Sequence, residues 1–259
     1  MINKYPFILV HGIVLKDYKF FKAFTKIEKS LNDAGYIAIT STTDGFGSIE
    51  NNAKQLKNQI LEVLKKYNVD KVNLIAHSKG GLDAKYMIKE LDMEDKVASL
   101  TTLCTPHKGS KIADLMLSLP KFIIKILEFF INKTYKLFKD ENPDCYLVAK
   151  QLSTHTNIDE ETIDFSDKIY CQSYSTTLHR GRDDFILGIP FKFSAHLEKD
   201  LSDGLVSKES SKFANYKGDC IEESISHGQI VGFTLSRKKK IKVIEFYLAL
   251  CKNLMEMGF

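Results

Sequence analysis

One serine in the sequence stands where a serine can act as a nucleophile. Ser78 lies in the stretch NLIAHSKGGLDA, which begins as an apolar run and continues with a helical pattern. A tight turn between a strand and a helix pushes such a hydroxyl out above the sheet, and it requires small residues two positions before and two positions after the serine. Ala76 and Gly80 meet this requirement. We therefore interpret Ser78 as a nucleophile rather than as a helix-capping serine.

A nucleophilic serine needs a general base and an acidic residue that orients the base. Where the nucleophile sits on a strand-to-helix elbow, the chain order is serine, then Asp or Glu, then His. His227, in SISHGQIVG, comes shortly before the last helical stretch, and Asp203, in LSDGLVS, precedes it in a loop pattern. The sequence thus predicts a triad of Ser78, Asp203 and His227.

A second acid–base pair is available in the same part of the chain. Asp183 or Asp184 could be paired with His196. We rank this alternative second because it leaves Asp203 and His227 without a role.

Acyl transfer also needs N–H donors for the oxyanion that forms on the attacked carbonyl, and the loss of one donor costs about 3 kcal/mol. The residue after the nucleophile, Lys79, provides one backbone N–H. The second is expected from the turn VHGI that follows the first apolar strand, with Ile13 donating and His11-Gly12 shaping the turn.

These residues are spaced along an alternating pattern of strands and helices. The sequence predicts strands at 6–10, 36–40, 71–76, 97–104 and 168–175, and helices at 18–34, 49–67, 80–91 and 240–257. FKFSA (191–195) fits a further short strand or an extended loop. This alternation predicts an α/β fold in which a mostly parallel central sheet has helices on both faces.

The alternation stops after Ser110. Residues 112–138 are apolar with scattered lysines, and residues 139–165 are polar and acidic, so we expect a helical lid or cap insertion at about 111–165 within a single domain of residues 1–259. Phe122, Ile126 and Phe129 are among the apolar residues on one side of this stretch. Two interpretations stay open: a mobile lid that opens against lipid, or a fixed cap of the kind that suits an ordinary esterase.

The composition argues against nucleic-acid binding, a disulfide framework and a cysteine-based metal cluster. The chain has 259 residues, a hydrophobic content of 44% and a net charge of +4, with lysines spread along it, so nucleic acid is not an expected partner. The basic cluster at 237–240 is interpreted as a charged helix start. Five cysteines without a C-x-x-C spacing give neither a complete disulfide framework nor a metal cluster.

The first residues run directly into a strand without a separate apolar segment and cleavage site. This pattern predicts a cytoplasmic protein, or a secreted one if a leader has been removed. The apolar run at 115–131 is interrupted by Lys121, Lys125 and Glu128, so no membrane span is expected.

The chain resembles the family I bacterial lipases, the true triacylglycerol lipases of the α/β-hydrolase fold. The matching stretches are YPFILVHGI (5–13), KVNLIAHSKGGLDAKY (71–86), VASLTTLCTPHKGS (97–110), SDGLVSKESSKF (202–213) and, more weakly, SHGQIVG (226–232). The resemblance implies a serine hydrolase that cleaves carboxylic esters of lipids through an acyl-enzyme on Ser78, with no organic cofactor. It also implies that His107, in TPHKGS, is a loop residue near the site rather than the base.

The sequence departs from the family pattern at several positions. Ala76 replaces the usual Gly, and Leu15 replaces a Gly that often follows the oxyanion loop. Lys79 stands where Gln or His is common, and a cationic side chain beside the nucleophile can alter substrate preference. Many members hold a structural calcium with an Asp two positions after the catalytic His; Gln229 is found here, so calcium is not favoured, although Asp183 is suitably placed for another ligand.

Other functions fit the same scaffold. A phospholipase, a thioesterase or a polyester hydrolase would use the same groups on a different ester. A catalytically silent, lipid-binding α/β-hydrolase is a rival of another class, but binding alone would not require a nucleophile, a base and an acid in this order. The expected partner is an ester or lipid substrate, with transient contact between the lid and a lipid interface.

Overall fold

The strands form one parallel sheet. The computed structural model describes residues 4–14, 23–156, 168–184 and 201–259. Its strands are β1 (Phe7–Val10), β2 (Ala38–Thr40), β3 (Val72–His77), β4 (Val97–Leu103), β5 (Tyr170–Ser175) and β6 (Asn215–Asp219). They lie in the order β2-β1-β3-β4-β5-β6, and every pairing is parallel. The predicted parallel sheet is confirmed, whereas β6 is absent from the sequence prediction because NYKGD contains no apolar run.

Helices cover both faces of this sheet. They are α1 (Thr25–Asp33), α2 (Ile49–Tyr67), α3 (Lys79–Glu90), α4 (Lys111–Leu117), α5 (Lys121–Leu137), α6 (Cys145–Gln151) and α7 (Arg237–Glu256). The buried side chains of α1 and α7 pack on one face, and those of α2 and α3 pack on the other. Helices on both faces of the sheet are thereby confirmed.

The two-sided packing explains why β1 is apolar without alternation. Phe7 and Leu9 belong to the core under α1 and α7, while Ile8 and Val10 belong to the core under α2 and α3. All four side chains are buried. Each contributes roughly 1.5–3 kcal/mol of hydrophobic free energy, which fixes the strand that leads into the turn at residues 11–13.

Capping residues set the ends of the helices. The bounds of α2 match the prediction, because the Ser48 hydroxyl accepts a hydrogen bond from Asn51 N at 3.3 Å and Asn68 takes a left-handed conformation at the other end. α7 begins three residues before the predicted start, since Ser236 caps it through Lys239 N. The basic cluster is thus the first turn of a helix, as expected. The described part of the predicted helix at 18–34 begins at Thr25, and residues 15–22 lie outside the described ranges.

Three helices, α4 to α6, lie between β4 and β5, where the sequence predicts a helical insertion. α6 lies in the segment described from the sequence only as polar and acidic, so it is not predicted as a separate helix. The Asp144 carboxylate starts this helix by accepting a hydrogen bond from Leu147 N at 2.8 Å. Residues 157–167 and the FKFSA stretch lie outside the described residues. The predicted extent of the insertion and the single-domain organisation therefore stay predictions.

All five cysteines are free thiols, and three of them are buried. Within the part of the chain that the structure covers, no helix combines the length and the apolar character needed to cross a membrane.

Candidate active site

Ser78 occupies a strained turn between the last residue of β3 and the first residue of α3. Its backbone has φ 55° and ψ −133°, a conformation that costs about 1–3 kcal/mol for a residue with a side chain. Two hydrogen bonds hold it there: Ser78 N donates to Leu103 O at 2.9 Å, and Gly81 N donates to Ser78 O at 3.0 Å. The predicted elbow is therefore present, and it is held by the neighbouring strand.

Close approach of the chain explains the small residues around Ser78. A Cβ on Gly80 would lie 2.5 Å from the carbonyl oxygen of His11, and a Cβ on Gly12 would lie 2.7 Å from Cβ of Ser78. Ala76 is fully buried in the core below. The turn after β1 and the start of α3 thus touch each other, and side chains larger than hydrogen at positions 12 and 80 would separate them.

Ser78, His227 and Asp203 form one hydrogen-bonded chain. The Ser78 hydroxyl is 2.8 Å from Nε2 of His227, and Nδ1 of His227 is 2.7 Å from Oδ2 of Asp203. The other carboxylate oxygen of Asp203 accepts from the N–H groups of Leu205 and Val206, at 2.9 and 2.8 Å. His227 N also donates to Asp203 O at 3.0 Å. The structure therefore brings the predicted nucleophile, base and orienting acid together in the arrangement that this chemistry requires.

His77 is a site residue that the sequence analysis missed. Its Nε2 donates to the carbonyl oxygen of His227 at 2.9 Å, and the two imidazole rings lie 4.5 Å apart. Burial holds the pKa of His77 well below its usual range, and the neighbouring His227 lowers it further. A neutral His77 can thus fix the backbone of the base without placing a second positive charge beside it. Its position directly before the nucleophile was the available signal.

The two predicted oxyanion donors flank the nucleophile. Lys79 is the first residue of α3, where a backbone N–H has no partner within the helix and lies at the positive end of its dipole. Ile13 lines the same cavity as Ser78. The position of a Cβ on Gly12 would be 3.2 Å from Lys79 N, so the turn at 12–13 lies directly against this N–H group.

The Lys79 side chain points away from the site, which corrects the expectation that its charge lies beside the substrate. Its ammonium is 2.7 and 3.0 Å from the two carboxylate oxygens of Asp83, and both side chains are completely buried. Asn52 Nδ2 donates to the same carboxylate at 3.0 Å. Burial raises the pKa of Asp83 to about 6, against the opposing effect of Lys79. Position 79 can therefore influence catalysis through its backbone N–H and its packing.

His107 is not part of the triad. Its Nε2 is 3.0 Å from the Thr102 hydroxyl, its Nδ1 is 3.4 Å from the Lys85 ammonium, and its ring stacks on Phe213 at 4.7 Å. Burial keeps its pKa well below the usual range. The residue lies in the loop between β4 and α4, and it is engaged in packing rather than in the triad.

An apolar cavity of about 390 Å³ opens onto Ser78 and His227. Two short helices of the insertion line it, through Ile112, Ala113, Met116, Val148, Ala149 and Leu152. Residues of α5 do not belong to the lining, although the apolar stretch at 112–138 predicts a lid or a fixed cap over the site. More than half of each side chain is exposed at Phe122, Ile126, Phe129 and Phe130. The cavity is suited to an acyl chain, and its size falls in the usual range for ligand pockets.

Asp183 and Asp184, the alternative acids, bind the loop that carries His227 rather than the base itself. The Asp183 carboxylate accepts from the Ser224 hydroxyl at 2.8 Å, which lowers the pKa of Asp183, and Asp184 accepts from the Ser226 hydroxyl. His196, the predicted partner in this alternative, lies outside the described residues, as does Leu15.

Gln229, which stands where many members of the resembled family have a calcium-binding Asp, is in contact with a lysine. The ammonium of Lys239 is 2.8 Å from Oε1 of Gln229 and 3.2 Å from the carbonyl oxygen of Asp183. Among the described residues, one group of potential metal ligands lies within 4.8 Å of each other: His77, Cys104 and His227. Both ring nitrogens of His227 already bond to Ser78 and Asp203, so a metal ion there would break the triad.

A family model described as palmitoyl protein thioesterase matches residues 6–156 of this chain. The chain is similar to triacylglycerol lipase 2 of Saccharomyces cerevisiae, with 28% identity over 261 residues that cover 90% of this chain and 73% of the yeast protein.

Solved structures have the same fold. A metagenomic carboxyl esterase matches with a TM-score of 0.76 and 14% identity, over 99% of this chain and 77% of the esterase. The Staphylococcus hyicus lipase matches with a TM-score of 0.73 and 16% identity, over 99% of this chain and 96% of the lipase. The expected α/β-hydrolase fold and the resemblance to lipases are confirmed.

Proposed function

The chain belongs to the palmitoyl protein thioesterase family and is a carboxylic ester hydrolase. We propose that it cleaves acyl esters of lipids through an acyl-enzyme on Ser78. Triacylglycerols, the substrates named for its yeast relative, are the proposed substrate class. The observation that carries the proposal is the hydrogen-bonded chain Ser78–His227–Asp203 at the mouth of an apolar cavity.

Each proposed step is assigned to a residue at or beside this cavity. His227 takes the proton of the Ser78 hydroxyl as the oxygen attacks the ester carbonyl, and Asp203 holds the imidazole in the required tautomer. The N–H groups of Ile13 and Lys79 stabilise the tetrahedral oxyanion. His227 then gives its proton to the leaving alcohol, and later it activates the water that releases the acid and restores Ser78.

The lining of the cavity favours acyl chains over small acetyl groups. α4 and α6 supply apolar side chains, so each buried methylene gains about 0.8 kcal/mol relative to water. Because this gain accumulates with chain length until the cavity is full, the specificity constant should rise from acetate to a medium-length acyl group.

A series of p-nitrophenyl esters tests the proposal. We expect kcat/KM to increase from acetate to octanoate, and the Ser78→Ala variant to be inactive on both esters. Palmitate shows whether the cavity holds a longer chain. Activity that persists in Ser78→Ala would contradict the acyl-enzyme, and a preference for acetate would contradict the lipid substrate.

We also propose that α5 contacts a lipid surface. Its aromatic side chains Phe122, Phe129 and Phe130 are exposed, and the lysines on the same helix, such as Lys125 and Lys133, are exposed beside them. Apolar side chains with adjacent cations are typical of helices that lie in the interface of an anionic membrane. α4 and α6 line the cavity and α5 does not. Contact between α5 and lipid therefore does not require α5 to move away from the cavity.

Sedimentation with phosphatidylglycerol vesicles tests this contact. The Phe129→Ser/Phe130→Ser variant should bind vesicles more weakly than the wild type and keep its activity on soluble p-nitrophenyl butyrate. Leu61→Ser, which changes an exposed leucine on α2, is the matched control and should bind like the wild type. Equal binding of the α5 variant and the wild type would refute the proposed surface.

A thioesterase is the second candidate, favoured by the description of the matching family model. The same nucleophile, base and oxyanion donors serve both ester types, since the two substrates differ in the leaving group. Comparison of palmitoyl-CoA with p-nitrophenyl palmitate separates them. A kcat/KM that is higher for the thioester would favour this second function.

A further inference from the structure

The loop that carries His227 is held by the buried amide of Gln229. Its Oε1 accepts from Ser226 N at 3.2 Å, and its backbone N donates to the Ser226 hydroxyl at 3.3 Å. Its Nε2 donates to the carbonyl oxygen of Asp183 at 2.9 Å. The Gln229 side chain thus joins the residue before the base to the short helical turn that ends at Asp183.

The ammonium of Lys239 fixes the orientation of this amide. Lys239 lies in the first turn of α7, and its Nζ is 2.8 Å from Oε1 of Gln229 and 3.2 Å from the carbonyl oxygen of Asp183. An ammonium group can only donate, so the oxygen of the Gln229 amide must face it and the nitrogen must face Asp183. Main-chain carbonyl oxygens and side-chain amide oxygens also bind metal cations in proteins. Here the ammonium group of Lys239 contacts both oxygens.

Charge in the surroundings supports a cation at this point. Burial lowers the pKa of Lys239, while the carboxylates of Asp183, Asp184 and Glu223 oppose that effect. Glu223 pairs with Lys238 at 3.3 Å and with Lys242, and the Asp183 carboxylate bonds to the Ser224 hydroxyl. Lys239 is therefore bound by neutral oxygens within a negative environment.

We propose that Lys239 is a positioning residue for the base: its ammonium is an internal cation that orients the Gln229 amide and thereby holds His227 in line with Ser78. The proposal rests on the proposed function, because it concerns the step in which His227 takes the serine proton. Without the ammonium, the amide can turn over and lose its bonds to Ser226 and Asp183. The 2.8 Å contact between His227 and Ser78 would then lose its support.

Kinetics of three variants on p-nitrophenyl octanoate, with thermal melting of each, test the proposal. Lys239→Met keeps the side-chain stem without the charge and should lower kcat by about 10- to 100-fold, since a displacement of about 1 Å can cost that much, with KM unchanged. Lys239→Arg restores a cationic donor and should recover most of kcat. Lys238→Met, in the same helical turn, is the matched control and should match the wild type.

The outcome is separable from that of the proposed function. A wild type that hydrolyses the ester and a Ser78→Ala variant that does not establish the hydrolase first. Within that result, a wild-type kcat in Lys239→Met would overturn the positioning role alone, as would an equal loss in Lys239→Met and Lys239→Arg.

A second measurement applies if Lys239→Met does not fold. Burial lowers the pKa of Lys239, and loss of its ammonium proton on the alkaline side should lower kcat of the wild type because the Gln229 amide loses its contact with the cation. An arginine stays charged at these pH values and should shift the alkaline limb of the kcat profile to higher pH. Identical alkaline limbs in the wild type and Lys239→Arg would overturn the proposal.

Discussion

Replacing both members of the buried Lys79–Asp83 pair should cost much less folding free energy than replacing either one. The two side chains are fully buried one helical turn apart, with the ammonium 2.7 and 3.0 Å from the carboxylate oxygens. Lys79→Met leaves a buried carboxylate with Asn52 as a remaining donor at 3.0 Å. Asp83→Leu leaves a buried ammonium facing an apolar group.

The magnitudes follow from these contacts. Removing one partner of a buried ion pair costs about 3–5 kcal/mol, because the other charge stays buried without compensation, whereas well-packed apolar replacements of both are often neutral. In the double variant, Asn52 Nδ2 loses its bond to Asp83 and keeps its bond to Asp44 O at 2.8 Å, a loss of about 1 kcal/mol. We therefore expect each single variant to lose about 3–5 kcal/mol and the double variant about 1–2 kcal/mol.

The free energies of unfolding of the wild type, the two single variants and the double variant are measured by urea unfolding. Far-UV circular dichroism follows the transition, because the chain contains no tryptophan for fluorescence. A pH of 8 lies well above the Asp83 pKa of about 6, so the carboxylate is ionised in the wild type. The coupling energy between the two positions should be at least about 4 kcal/mol. Additive effects, or single variants within about 1 kcal/mol of the wild type, would refute the claim that this is a desolvated ion pair.

Four further results are expected. Asp203→Asn should lower kcat by about 10⁴-fold with little change in melting temperature, because the imidazole loses its orienting acceptor; a loss below tenfold would contradict the triad. Gly12→Ala should reduce kcat by roughly 100-fold, since its Cβ would lie 2.7 Å from that of Ser78, and full activity would show that the turn can move. His77→Leu should lower kcat about tenfold through the lost bond to His227 O, with KM as the unaffected comparison. EDTA should change neither kcat nor melting temperature if Lys239 serves in place of a metal ion, and activity that EDTA removes and calcium restores would refute this.

The alternation of strands and helices in this fold is predictable from the sequence. Strand β1 is apolar on both faces, and β3 and β4 contain apolar runs. α2 has an N-cap serine and a left-handed asparagine at its end, so these local signals agree with the tertiary structure. β6 lacks an apolar run, and the apolar residues of α6 cover only seven positions. β6 is a partly exposed edge strand, and α6 depends on a cap by Asp144 within a polar segment.

The chemistry of the site is also predictable where spacing encodes it. The elbow demands small neighbours around Ser78, and the order of acid and base along the chain follows from the fold, so Asp203 and His227 could be assigned. The direction of the Lys79 side chain could not, because the sequence around a nucleophile does not show which face of α3 meets α2. The contact between Gln229 and Lys239 joins a loop to a helix and depends on tertiary packing.

Active-site labelling shows whether Ser78 is the nucleophile. The protein is treated with an alkyl fluorophosphonate, and intact-mass and peptide mass spectrometry then locate the adduct. We expect one equivalent of label on Ser78 in the wild type and none in Ser78→Ala. Ester hydrolysis should decrease in proportion to the fraction of protein that is labelled. Label on another residue, or ester hydrolysis that continues without any label on Ser78, would contradict it.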